Sequence, residues 1–145
     1  QIESYQGRIS GPLLDRIDLH VEVPAVTPRE LAHGREGEPS AAIAARVLAA
    51  RARQPRRWRG TRARRPDGMT NARLSPRQVR TVCALDGPTE ELLAAATEQY
   101  GLSTRGWERV LKVSRTIADL AGEDAVGQTH VAEALQYRAV DRGGW

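Results

Sequence analysis

The sequence predicts a mainly α fold, a helical bundle preceded by one orphan β-strand, and three observations carry that reading. Residues 102–122, LSTRGWERVLKVSRTIADLAG, place Leu102, Trp107, Val110, Leu111, Ser114, Ile117, Leu120 and Ala121 on one stripe at helical spacing. Ser103 stands where it can cap the start of that helix and Gly122 where it can end it. The composition suits short packed helices: there is no Phe and there are only three Trp and three Tyr, so the core is built from Leu, Val, Ile and Ala. Strict alternation occurs once, at Ile17-Asp18-Leu19-His20-Val21-Glu22-Val23, before Pro24. A lone strand has no ladder partner, so it is expected to belong to a sheet lying N-terminal to this chain.

Taken in order, residues 1–10 read as a polar connection and Gly11 to Arg16 as a turn or short helical segment. The strand follows, and then a loop rich in Pro and Gly from Pro24 to Pro39. Ser40 is placed to cap a helix that runs to Gln54 and is stopped by Pro55, with Ile43, Val47 and Ala50 on its buried face. Arg51 to Arg65 then puts eight arginines around one aromatic, Trp58. Ser75 and Pro76 are a cap and a first helical position, with Val79, Val82, Cys83 and Leu85 as the apolar face. Thr89 opens a helix that ends at Tyr100 and is closed by Gly101. After the 102–122 helix, residues 128–137 form a last helix packed through Val131, Ala134 and Leu135, with Tyr137 beside them. The connections are short, so neighbouring helices are expected to pack antiparallel. The units are placed at 1–39, 40–70 and 71–142.

Several chemistries are excluded by what is missing. Cys83 is the one cysteine, so no internal disulfide or cysteine metal cluster can form, and a buried thiol in a reducing cytoplasm is expected. His20, His33 and His130 have no metal-ligand spacing. No Gly-rich phosphate cradle with Lys, no acidic pair after a strand and no Ser/His/Asp pattern is present. No apolar run approaches membrane-spanning length and no signal peptide is seen. The chain begins at Gln1 and its single Met is Met69, so a piece of a longer protein is expected.

What remains is arginine. The net charge of +4 and pI near 10.0 point to a polyanionic partner, although Lys112 is the only Lys and a GC-rich genome would also favour Arg. Arg105 stands in the first turn of the 102–122 helix, where unpaired N–H groups and the helix dipole favour an anion. Arg109, Lys112 and Asp119 share its outward face. In the basic run, Arg56, Arg57, Arg59, Arg62, Arg64 and Arg65 could track a phosphate backbone while Trp58 stacks on a base. A solvated loop is the competing reading.

Five ordered blocks add a resemblance that covers nearly the whole chain. Ile9-Ser10-Gly11-Pro12-Leu13-Leu14-Asp15-Arg16-Ile17-Asp18-Leu19 resembles the end of the AAA+ core in magnesium-chelatase-like ATPases of the ComM type. Asn71-Ala72-Arg73-Leu74, Gly101 to Arg105, Leu111 to Gly122 and Glu133 to Arg138 resemble that family's helical lid in the same order. The resemblance implies a lid fragment of a ring-forming ATPase that uses ATP and Mg2+, with its own AAA+ core and the neighbouring subunits of a homo-oligomeric ring as partners. It further implies an arginine finger at Arg16, held by Asp15 and Asp18, and a sensor 2 residue at Arg105, with Arg8 and Arg109 in the same electrostatic environment. Walker A, Walker B and sensor 1 segments are absent, so this fragment is expected not to hydrolyse ATP alone and to hold no nucleotide tightly. A DNA-processing parent acting in the cytoplasm, without a membrane partner, is the leading expectation. A true chelatase subunit and a stand-alone helical DNA-binding module are the alternatives.

Overall fold

The computed structural model describes residues 16–21, 23–34, 37–58 and 70–143. Its elements are α1 (Pro28–His33), α2 (Ser40–Arg56), a 3-10 turn (Asn71–Arg73), α3 (Pro76–Val82), α4 (Gly87–Tyr100), α5 (Thr104–Ala121) and α6 (Gln128–Gly143). Helix α5 is the axis of the bundle: α6, α2, α3 and the 3-10 turn all pack on it, and α4 closes the far side by packing on α6. Val79, Leu93, Val110, Leu111 and Val131 are sealed at the centre.

Local chemistry sets the ends of these helices. The Ser103 hydroxyl accepts from Gly106 N–H at 3.1 Å, satisfying one of the unpaired donors at the start of α5. Gly122 takes the left-handed conformation at φ 81°, so Glu123 N–H reaches Ala118 O and Gly122 N–H reaches Asp119 O. Gly101 ends α4 in the same manner at φ 53°. At α3, Ser75 and Gln78 exchange side-chain and backbone hydrogen bonds as a capping box, with Pro76 at the first helical position.

Four local expectations are corrected. Helix α4 begins at Gly87, because the Asp86 carboxylate rather than Thr89 caps it, accepting from Thr89 N–H at 3.0 Å. Helix α2 has Pro39 as its cap residue, with no side-chain cap bond, and runs through Pro55 to Arg56. Gln54 and Trp58 are both buried, and their packing holds that last turn helical despite the proline. The expected buried face of α2 is covered only at Ala50; Ile43 and Val47 are 42% and 41% exposed, since the first half of α2 projects beyond the bundle. Helix α6 continues past Tyr137 to Gly143.

The expected strand is not formed: among the described residues there is no β-strand, and residues 17–21 are irregular. Two of its backbone groups meet α6 instead of a ladder. His20 N–H donates to Tyr137 O at 2.9 Å, and Arg138 Nη1 donates to Ile17 O at 3.0 Å. Without a neighbouring strand the apolar side of the alternation stays uncovered, with Val21 and Val23 66% and 82% exposed.

Candidate functional site

Helix α5 carries four cations, Arg105, Arg109, Lys112 and Arg115, and the structure gives them different fates. Arg109 forms an ion pair with Asp18 at 2.6 Å. Lys112 Nζ donates to Ala72 O at 3.1 Å. Arg115 is fully buried, with Nη1 donating to Asp124 O at 2.7 Å, Nη2 to Glu123 O at 2.6 Å, and Asp119 Oδ1 3.2 Å from Nη2. Arg105 alone of the four is exposed, in the first turn beyond the Ser103 cap, and among the described residues no carboxylate pairs with it.

The Asp18–Arg109 pair decides where Arg16 lies. Arg16 is exposed and two residues from Asp18, while Arg105 is one helical turn from Arg109 on the same face. That pair ties the segment carrying Arg16 to the first half of α5, the helix that carries Arg105. Asp18 meets Arg109, so its expected pairing with Arg16 is replaced, and Asp15 and Arg8 lie outside the described residues. Arg109 itself is committed to that pair and is only partly exposed.

The other end of α5 is built around a side chain expected to face water. Asp119 is buried and accepts from three directions: Arg57 Nη2 and Arg115 Nη2 share Oδ1, and Asn71 Nδ2 donates to Oδ2 at 2.8 Å. Asn71 Nδ2 also reaches Thr116 Oγ1 at 3.2 Å. One carboxylate thus joins α5 to the end of α2 and to the 3-10 turn. Burial pulls the Arg115 pKa below its ordinary value, Arg57 adds to that, and Asp119 opposes it; an arginine nonetheless stays protonated. Neighbouring Cys83 is buried with Sγ 3.6 Å from Leu111 O, and burial pushes its pKa up to about 11, against the pull of Arg115 and Arg57.

Beside this cluster is an open hollow of about 460 Å3 lined by Arg53, Arg56, Arg57 and Asp124. Arg53 pairs with Asp124 at 2.5 Å, and Arg56 is exposed in the last turn of α2. Trp58 is corrected: it is 8% exposed and belongs to the core cluster, so it cannot stack on a base. Arg57 is likewise turned inward to Asp119. Arg59, Arg62, Arg64 and Arg65 lie outside the described residues.

The sequence carried one sign of the buried cluster, the i, i+4 spacing of Arg115 and Asp119. The expected stripe is buried at Val110, Leu111 and Ser114 and half-buried at Leu102, Trp107 and Ile117, but the sealed face also takes in Arg115, Ala118 and Asp119, while Leu120 is exposed. Among the described residues no group of His, Cys, Asp or Glu could hold a metal ion, and no helix is long and apolar enough to cross a membrane.

Comparisons with known proteins place the chain in a family. Residues 37–138 match the family model of the C-terminal part of magnesium chelatase subunit ChlI, and residues 1–31 match that of magnesium chelatase subunit ChlI. The competence protein ComM of Haemophilus influenzae is 43% identical over 143 residues, covering 98% of this chain and 26% of that protein. YifB of Salmonella typhimurium is 42% identical over 139 residues, covering 95% of this chain and 26% of its own length. YifB of Escherichia coli is 40% identical, with 95% and 26% covered. The chain spans about a quarter of the length of the curated relatives it matches.

Proposed function

The chain belongs to the family of the C-terminal part of magnesium chelatase subunit ChlI, of the ComM type, and from that membership we propose that it is the helical lid of an AAA+ ATPase that processes DNA. The observation that supports the reading is Arg105. Its three fellow cations on α5 are committed to protein partners, whereas its guanidinium is presented to solvent at a capped helix start. A phosphate placed there would receive the fork of guanidinium N–H donors together with the positive end of the helix dipole.

In this reading Arg105 is the sensor 2 residue. It donates to phosphate oxygens of ATP held by the AAA+ core and so couples the presence of those phosphates to the angle of the lid. Arg16, exposed two residues before the Asp18 that pairs with α5, is the arginine finger that reaches the nucleotide of a neighbouring subunit in a homo-oligomeric ring. Mg2+ would screen the charge of the phosphates, but among the described residues no cluster fits it, and no step here runs through it. Competence in the name of the Haemophilus relative supports DNA as the parent's substrate.

The test is Arg105→Ala in the intact ATPase. Turnover and nucleotide affinity are expected to fall, by tenfold or more, with the fold of the lid unchanged by circular dichroism. Unaltered turnover and affinity would remove the sensor role.

A further inference from the structure

We infer that the hollow between the end of α2 and the loop after α5 binds phosphates of a nucleic-acid backbone, with Asp124 as a displaceable internal counter-ion. The inference rests on the DNA-processing part of the proposed function and adds a site to it. Charge imbalance is the first ground. The guanidiniums of Arg53, Arg56, Arg57 and Arg115 lie in one neighbourhood, and among the described residues two carboxylates, Asp119 and Asp124, pair with them. Asp119 is buried and already serves Arg57, Arg115 and Asn71, so it has nothing to offer Arg53 or Arg56. Glu123 lies next to Asp124 but faces His130, 3.6 Å away.

Accessibility is the second ground. A helix C-terminus favours a cation or two in its last turn, which alone would account for Arg53 and Arg56 as surface charges. It does not account for an open hollow of about 460 Å3 whose charged lining is three arginines and one carboxylate. The side chain of Asp124 is fully exposed and that of Arg53 is 28% exposed, so the pair between them is weakly held and can be exchanged. An incoming phosphate takes the place of the Asp124 carboxylate on Arg53, gains Arg56 in the same step, and leaves the Arg57–Asp119 pair as the fixed back wall. A backbone is favoured over a lone phosphate because the sequence just after Trp58 carries four more arginines, Arg59, Arg62, Arg64 and Arg65.

The experiment measures binding of this chain to a fluorescent single-stranded oligonucleotide by anisotropy across a salt series, with inorganic phosphate and ATP as competitors. Arg53→Gln and Arg56→Gln should each weaken binding several-fold and lower the slope against log salt by about 0.7. Asp124→Asn should tighten binding, since it removes the carboxylate that competes for Arg53. None of these exposed or half-exposed positions is a core residue, so thermal unfolding should be unchanged and serves as the control. Oligonucleotide binding that is the same in all three variants overturns the hollow while leaving the DNA-processing reading in place. No binding at low salt overturns the hollow and removes support for that reading as well. If the variants alter ATP or inorganic phosphate binding but not the oligonucleotide, the hollow is a site for free phosphate and the backbone assignment falls.

Discussion

The two ends of helix α5 use the same residue type for opposite purposes. At the C-terminal end Arg115 is buried against Asp119 and the Glu123 and Asp124 carbonyls, and those partners in turn hold Arg57 and Asn71. At the N-terminal end Arg105 lies in solvent with no carboxylate beside it among the described residues. A buried guanidinium whose two Nη atoms are held by carbonyls and a carboxylate is part of the fold. One left uncommitted at a helix N-terminus is available to a ligand.

The comparison breaks most directly at Asp119. Asp119→Ala would leave Arg115 buried with no counter-charge, and it should cost about 3–5 kcal/mol of stability by chemical denaturation. A loss below about 1 kcal/mol would mean that the sealed end is not what holds α2 and the 3-10 turn to α5. Trp58→Ala should follow at about 3 kcal/mol, because the ring is packed in the core rather than offered to a base. Tryptophan quenching by iodide separates the alternatives: a core ring is protected, a stacking ring is not.

Cys83 sharpens the contrast through pH. Its folded-state pKa is raised by burial from 9.0 to about 11, so the native thiol binds its proton more tightly than the unfolded one. The stability this provides is fully present below about pH 9 and is lost as the pH rises through about 11, to the order of 2–3 kcal/mol. Denaturation of the wild type against Cys83→Ala between pH 8 and 11 reads the difference, and equal pH dependence would contradict the burial. The smallest effect belongs to the open end. Asp18→Asn removes a partly exposed pair with Arg109 and should cost no more than about 1 kcal/mol.

Much of this was legible because it is local. The start and stop of α5 follow from Ser103 and Gly122, and α3 follows from Ser75 and Pro76, since a cap and its helix are only a few residues apart. The same locality misled at Thr89, where Asp86 three residues earlier offered a better acceptor, and at Pro55, where packing on both sides outweighed a helix-breaking residue. The resemblance blocks are local runs of sequence whose reason for recurring together is tertiary. The structure supplies part of it: Asn71-Ala72-Arg73-Leu74 and Leu111 to Gly122 meet through the hydrogen bond of Asn71 to Asp119.

By itself the sequence determined a mainly α bundle with α5 at its axis, and it singled out Arg105 as the cation at a helix start. Tertiary structure alone decided which charges are sealed and which are offered. Asp119 meets Arg57 across 62 residues of sequence and Asn71 across 48, and Ile17 meets Arg138 across 121. Helical periodicity places a side chain on a face, but burial of a charge requires partners to neutralise it. Those partners come from distant segments that only folding brings within hydrogen-bond reach.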